Sequence, residues 1–354
     1  MQLLVVQDAG TSVGAQGDTL VVKKAGALLS QVRSGEVQEV HLYGAIELSA
    51  PARRLLLRRG VDVLFFSPGG VYEGRLLSEA SSAGDRRVAQ LRALTDPQSA
   101  RGVARSIVAG KIRNQRAFLR AAQRHRQDPT LASALASMRQ TLRHVESGEE
   151  ASLDTLRGWE GYAAATYFSA FNALLLNPLF SFNGRNRRPP RDEVNALLSF
   201  GYTLLLRRVE SAIRAVGLDP YVGALHAAGR GKPALALDLM EEFRAGLIDR
   251  LCLRLINRRQ LHPSDFEDPG VDQTLLGAPP DPSGPEEAPP RAVYLGPTGR
   301  AIFLRAFYDE LRATVQHPEE ESAVSYEGLI RRQAMQLAHV VEGTLDGYQA
   351  WALR

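Results

Sequence analysis

Two spacings of apolar positions divide this chain. Over residues 1 to about 78, short apolar runs alternate with glycine-bearing breaks: LLVVQDAGTSVG, DTLVVKKAG, VQEVHLYGAIELS and VDVLFFSPGGVYEG. β-Branched runs bounded by Gly, Asp and Ser turns predict strands. One helix is expected among them in SAPARRLLLRRG, with Ser49 as its cap and Gly60 as its stop. Pro68, Gly69 and Gly70 mark a turn between the last two strands.

From about Glu79 the spacing becomes helical, through RRVAQLRALTD, PQSARGVARSIVAGKIRNQRAFLRAAQRHRQ and TLASALASMRQTLRHVESG. Pro97 lies near a helix start, and the final helices are expected from Thr298 to about Arg354, after the strand-like AVYL. The predicted fold class is therefore α+β: a small N-terminal β-rich domain at 1–78, then a larger, mainly α-helical domain at 79–354. Two loops interrupt the helices. SFNGRNRRPPRDEVN places Arg185, Arg187, Arg188 and Arg191 beside Pro189 and Pro190, a rigid basic loop that is either a phosphate grip or an exposed turn. Residues 265–290 hold seven prolines with Asp and Glu, and are expected to be a flexible insertion without chemistry.

Composition narrows the class. A chain of 354 residues accommodates two domains, and 44% hydrophobic with 23% charged residues is ordinary for a soluble protein. No apolar run approaches the roughly 18 residues of a membrane span, and MQLLVVQDAG lacks the basic-then-apolar pattern of a signal peptide. A cytoplasmic protein with no membrane partner is expected. The single cysteine, Cys252, excludes an internal disulfide and a cysteine zinc site, and is expected in the core.

Net charge is only +4, but the 43 basic residues include just four lysines: Lys23, Lys24, Lys111 and Lys232. Arginine gives fixed charge and bidentate phosphate contacts wherever it clusters. Between Ser81 and Asp128 eleven basic residues face three Asp. Arg101, Arg105, Arg113, Arg116, Arg120 and Arg124 largely share one helix face there, either a solvated face or one that meets an anion.

The candidate chemistry lies in GWEGYAAATYFSAF and GLDPYVGALHAAGRGKPALALDLMEEFR, where Glu160, His226, Asp238 and Glu241 interrupt apolar, apparently helical segments. Such groups are costly to bury unless paired or bound to a metal. Asp238 and Glu241, three apart, share a helix face, while Glu242 points elsewhere. The turn at Gly229, Gly231 and Pro233 is expected to end one helix and bring the next alongside His226. An O/N/O donor set suits Mg2+ or Mn2+, and hence phosphate chemistry. On the residues alone, caps and buried ion pairs with arginines such as Arg244 explain the same positions. The other six histidines show no HExxH spacing, GxSxG is absent, and the Gly229–Gly231 turn lacks the phosphate-loop pattern.

Together these segments resemble the CRISPR-associated endonuclease/integrase ("Cas one") family of spacer acquisition, over nearly the whole length. HLYGAIELSAPARRLLLRRGVDVLFFSPGGVYEGRL is similar to its N-terminal β-domain signature, and ARSIVAGKIRNQRAFL to the start of its helical domain. WEGYAAATYF, NRRPPRDEVNALLSFGYTLL, GLDPYVGALHAAGRGKPALALDLMEEFR and RRQAMQLA resemble its core motifs. Ala245 departs from the proline usual after FR, and the 265–290 segment is longer than the family leads one to expect.

The resemblance implies that Glu160, His226 and Glu241 are catalytic metal ligands supported by Asp238, with Mg2+ or Mn2+ as cofactor. It implies a metal-dependent DNA integrase/endonuclease that joins 3′-hydroxyl ends of short duplexes into a repeat array by transesterification. Double-stranded DNA, a second copy of the chain and a "Cas two" dimer are the implied partners, with the N-terminal domain serving dimerisation and partner contact. Arg113, Arg116, Arg120, Arg124, Arg185, Arg187, Arg188 and Arg191 are the candidate contacts to DNA phosphates. A structure-specific metal-dependent nuclease acting on branched DNA and a catalytically inert DNA-binding scaffold are the alternatives.

Overall fold

The computed structural model describes residues 2–77, 84–186, 189–227, 229–268, 292–315 and 323–353. They form two compact units, one drawn from 1–80 and 265–298, the other from 81–264 and 299–354.

In the first unit the apolar runs form eight strands: β1 (Gln2–Val6), β2 (Thr11–Gln16), β3 (Thr19–Lys24), β4 (Ala27–Arg33), β5 (Val37–Tyr43), β6 (Glu47–Leu48), β7 (Asp62–Phe66) and β8 (Tyr72–Leu76). One sheet runs β1-β5-β7-β8, with β1, β5 and β7 parallel and β8 antiparallel; the other runs β4-β3-β2-β6. The expected helix is α1 (Ala50–Arg59): Ser49 Oγ accepts from Ala52 N at 3.3 Å, and Gly60 ends the helix at φ 65°. Val13, Leu20, Val40, Leu56 and Val63 join both sheets and α1 in one core. The turn at Pro68–Gly70 is closed by Ser67 N donating to Val71 O at 2.8 Å. A two-strand ladder, β9 (Phe266–Glu267) with β10 (Tyr294–Leu295), completes the unit. All but the first four residues of the 265–290 segment lie outside the described residues.

The second unit is helical: α2 (Gly84–Thr95), α3 (Pro97–Arg126), α4 (Pro129–Ser147), α5 (Leu153–Ser169), α6 (Glu193–Ala215), α7 (Ala234–Phe243), α8 (Arg250–Asn257), α9 (Pro297–Arg312) and α10 (Tyr326–Val341), with a short β11 (Thr314–Val315) and β12 (Val324–Ser325) hairpin. Side-chain caps set the starts. Asp96, Asp128, Ser152, Asp192 and Ser325 each accept a backbone N–H from the first turn, satisfying donors that a helix leaves open. α3 buries Ala104, Ile107, Val108 and Ile112 and packs against α4, α5 and α7. Cys252 is fully buried on α8. Among the described residues no helix is long and apolar enough to cross a membrane.

Two expectations are corrected. His226 is not on a helix: α6 ends at Ala215, and the described residues from there to α7 are irregular backbone. The final helix stops at Val341, and residues 342–353 run back without helical structure. Trp351 stacks on Phe243 at 5.7 Å, and Asn114 Nδ2 donates to Trp351 O at 2.9 Å.

Candidate active site

α7 is apolar on nearly every side, yet Asp238, Leu239, Met240, Glu241 and Glu242 are all buried on it. Each of its three carboxylates therefore needs partners, and each finds a different kind. Asp238 captures the preceding loop. Its Oδ2 accepts from Ala224 N at 2.7 Å and Leu225 N at 3.0 Å, while Oδ1 accepts from His226 N at 2.9 Å and contacts His226 Nδ1 at 2.7 Å. Gly223 permits this approach, since a Cβ there would lie 2.7 Å from Asp238 Oδ2. A carboxylate already holding three backbone donors accepts the ring N–H as well, which fixes the proton on Nδ1 and leaves Nε2 as the lone-pair nitrogen. From the other side, Arg157 on α5 donates to Leu225 O at 2.7 Å. Arg157 and Glu160 are one turn apart, so the helix that carries Glu160 also grips the histidine loop.

Glu241, on the same side of α7, is compensated by cations. Arg244 lies 3.0 Å from Oε1 and Lys111, from α3, lies 2.7 Å from Oε2. The same Lys111 ammonium donates to Glu160 Oε1. Glu160 and Glu241, from two helices, thus converge on one cationic point. Burial would raise the Glu241 carboxyl, but Arg244 and then Lys111 overturn that and hold it well below the usual range. Burial works against protonation of His226, yet the hydrogen bond and charge of Asp238, with Glu241 beyond, raise its pKa.

Glu242 faces away, as its position predicts. It accepts from Tyr348 OH at 2.5 Å, Gln333 Nε2 at 3.0 Å and Trp351 N, all in the C-terminal region. Burial outweighs those donors and pushes its carboxyl to about 8.

After α7 the backbone widens into a π-helix at Arg244–Asp249, a rare conformation that concentrates at functional sites. It sets Arg244 over the Tyr202 ring at 4.6 Å and buries Asp249, which accepts from Tyr202 OH at 2.5 Å and Tyr167 OH at 2.8 Å. Ala245, where the resembled family has proline, lies within this turn.

The basic residues separate into three groups. Arg101 and Arg113 pair with Glu150 and Glu146 at 2.7 and 2.6 Å, so part of the α3 face is neutralised by the end of α4 and the loop after it. Further along, Arg116 lies near Arg120, Arg139 and Arg143; burial first, then these like charges, lower its pKa. Arg120 and Arg124 are exposed. Arg185 is half-buried, bonded to Asn195 Oδ1 at 2.7 Å and Ser199 Oγ at 3.1 Å, and lies 5.5 Å from the Tyr202 ring centre. Arg191 is exposed, and Arg187 and Arg188 lie outside the described residues.

Sequence reasoning missed Lys111, Arg157, Arg139 and Arg143. Lys111 carried a signal, a lone lysine in the apolar stretch VAGKI of an arginine-rich helix. Among the described residues no three His, Cys, Asp or Glu side chains gather tightly enough to hold a metal without movement. What converges instead is a carboxylate pair around an ammonium, beside a histidine locked in orientation.

Fold and site define a class of proteins in which a β-rich N-terminal unit precedes a helical unit whose buried carboxylates lie beside a half-buried histidine. The family model described as CRISPR associated protein Cas1 matches residues 4–277, and the chain belongs to that family. A CRISPR-associated endonuclease Cas1 of Rhodospirillum rubrum is 36% identical over 99% of this chain and 98% of its own. Among solved structures, a chain of a Cas6-RT-Cas1--Cas2 complex superposes with a TM-score of 0.80 at 25% identity, covering 100% of this chain, which spans 36% of that one. A casposase bound to integration product has the same fold, with a TM-score of 0.81, 22% identity and coverage of 99% and 93%.

Proposed function

We propose that the protein is a metal-dependent DNA integrase/endonuclease of CRISPR adaptation, joining 3′-hydroxyl ends of short duplex DNA into a repeat array. The observation that carries this is the convergence of Glu160 and Glu241 on one cationic point, beside His226. The residues fit a hard divalent cation. Glu241 Oε2 is buried and faces the Lys111 ammonium at 2.7 Å, so the position already favours a cation, and the donor set of two carboxylates and an imidazole suits Mg2+ or Mn2+. Glu160, Glu241 and His226 Nε2 would hold the ion. Asp238 has all four acceptor positions in use, which assigns it to aiming His226 rather than to ligation.

The bound ion supplies charge stabilisation at the phosphodiester under attack. The chain's own residues do the rest. Arg244, fixed on Tyr202, keeps Glu241 ionised. Arg157 and Asp238 hold the histidine loop from two sides. Arg116, Arg120 and Arg124 on α3, with Arg139 and Arg143 on α4, offer a net positive surface for backbone phosphates. A dimer built through the β-rich unit and a complex with a Cas2 dimer belong to the same reading; the solved Cas6-RT-Cas1--Cas2 complex supports the Cas2 association.

The test is strand joining: purified protein with its Cas2 partner, a 3′-hydroxyl duplex and supercoiled repeat DNA, in Mg2+ or Mn2+. Glu160→Ala and His226→Ala are expected to abolish joined products and keep duplex binding. Joining at the parental rate in both variants would overturn the ligand assignment, and release of fragments without joining would favour a nuclease.

A further inference from the structure

We propose that Lys111 is a built-in counter-cation: its ammonium stands between Glu160 and Glu241 where a divalent cation binds, and cation entry displaces it. The inference rests on the assignment of those two carboxylates as ligands. Lys111 is 5% exposed, on a stretch of α3 whose neighbours Val108, Ala109 and Ile112 are buried. Its Nζ meets Glu160 Oε1 and lies 2.7 Å from Glu241 Oε2. Both contacts are short enough to be charge-assisted hydrogen bonds, so the one ammonium serves both carboxylates.

Charge balance limits how many cations the site can hold. Three carboxylates, Glu160, Glu241 and Asp238, face two fixed cations, Lys111 and Arg244, so with His226 neutral the group carries one net negative charge as it stands. A divalent ion added with both cations in place would leave a net positive charge in a largely buried group, whereas the loss of one cation restores neutrality. One cation has to leave. Arg244 is held by stacking on Tyr202 at 4.6 Å and by Glu241 Oε1 at 3.0 Å. Lys111 is a point charge on a flexible stem, the type of cation that exchanges. In the ion-free protein it keeps two like charges from forcing α5 and α7 apart, so the ligands remain aimed at a common point. Lys111 is thus a positioning residue.

The small number of lysines makes the test residue-specific. Lys24 and Lys232 are exposed and serve as internal references. Acylation of the full chain with an amine-selective reagent, followed by peptide mass spectrometry, is expected to show Lys111 protected without divalent cation and several-fold more reactive at saturating Mg2+, with the references unchanged. In a Mn2+ titration, Lys111→Met is expected to bind tighter than the parent by about 5- to 150-fold, the usual range for coupled binding events. Unchanged Lys111 acylation at saturating Mg2+ overturns the proposal, as does weaker or equal Mn2+ affinity in Lys111→Met. Glu241→Gln separates the counter-cation role from the ligand assignment. If it abolishes Mn2+ binding while Lys111→Met matches the parent, only the counter-cation role fails; if it binds like the parent, the ligand assignment fails with it. Should Lys111→Met not fold, acylation of the unaltered protein still decides.

Discussion

Asp238→Asn removes one charge and no volume, and its effect can be worked out by counting donors. The side chain must serve two backbone N–H groups at Oδ2, and a third plus the histidine ring at Oδ1. An amide presents one acceptor and one donor group. If its oxygen faces Ala224 and Leu225, its NH2 faces His226, whose backbone N–H loses its acceptor. The ring can then pair only by accepting at Nδ1, which moves the proton to Nε2 and removes the lone pair a cation needs. The opposite orientation orphans two buried N–H groups, at about 1–3 kcal/mol each, so the first is preferred. The expected cost in stability is about 1–3 kcal/mol, for one lost charged acceptor. The expected loss in strand joining is about 10- to 100-fold, the range for removing a carboxylate that orients a metal-binding histidine. Initial rates of joining, a thermal melt and duplex affinity should be measured together. Gly223→Ala supplies an independent route to the same state, because its Cβ would lie 2.7 Å from Asp238 Oδ2 and 2.7 Å from the Ala234 carbonyl carbon. Parental joining rates in Asp238→Asn, with the melt shifted, would refute the orienting role; loss of duplex binding alongside joining would reduce it to general damage.

Three further outcomes are expected. Burial raises the Asp249 carboxyl to about 6, only partly offset by Tyr202, Tyr167 and Arg244. The folded state therefore keeps its proton where the unfolded state has lost it, and stability should fall as pH rises between about 4 and 6, by on the order of 3 kcal/mol. Asp249→Asn should flatten that slope in denaturant titrations, and equal slopes would contradict it. Replacing Arg116, Arg120, Arg139 and Arg143 with Ala should weaken duplex binding and lower its logarithmic salt slope by about 0.9 for each phosphate no longer neutralised, whereas a parental slope would take this surface off the DNA path. Gly110→Ala places a methyl 2.4 Å from Ala350 Cβ, so the C-terminal segment should lift from α3 at a cost of about 1–3 kcal/mol, read as a lower melting temperature. An unchanged melt would show that the segment is not held there.

The division into β-rich and helical parts was legible because it is written in spacing, and spacing is local. Ser49 with Gly60, and Asp96 with Pro97, mark helix ends by groups within a few residues of the backbone they satisfy. The misplaced elements depend on distant partners. ALHAA has helical composition, but the Asp238 carboxylate, 12 residues on, captures the N–H groups of 224–226 and holds them out of a helix. Residues 342–353 continue an amphipathic pattern, yet Glu242, Asn114 and Ser106 take their backbone N–H groups instead. Lys111 was hidden for the same reason, its two carboxylates lying 49 and 130 positions away.

α7 shows how burial distinguishes residues that sequence cannot. Asp238, Glu241 and Glu242 are equally acidic, equally buried and within five positions of one another. Asp238 is satisfied chiefly by backbone N–H groups, which are part of the chain and cannot leave; it can orient but has nothing to exchange. Glu242 is satisfied by neutral donors, and burial pushes it to about 8, so near neutral pH it is largely a protonated acid and a poor ligand for a hard cation. Glu241 alone is compensated by side-chain cations and held ionised by them. A carboxylate kept charged without water, by a lysine on a flexible stem, can trade that charge for an ion without first losing a proton. The exchangeable partner, more than acidity or burial, is what singles out Glu241 on this helix.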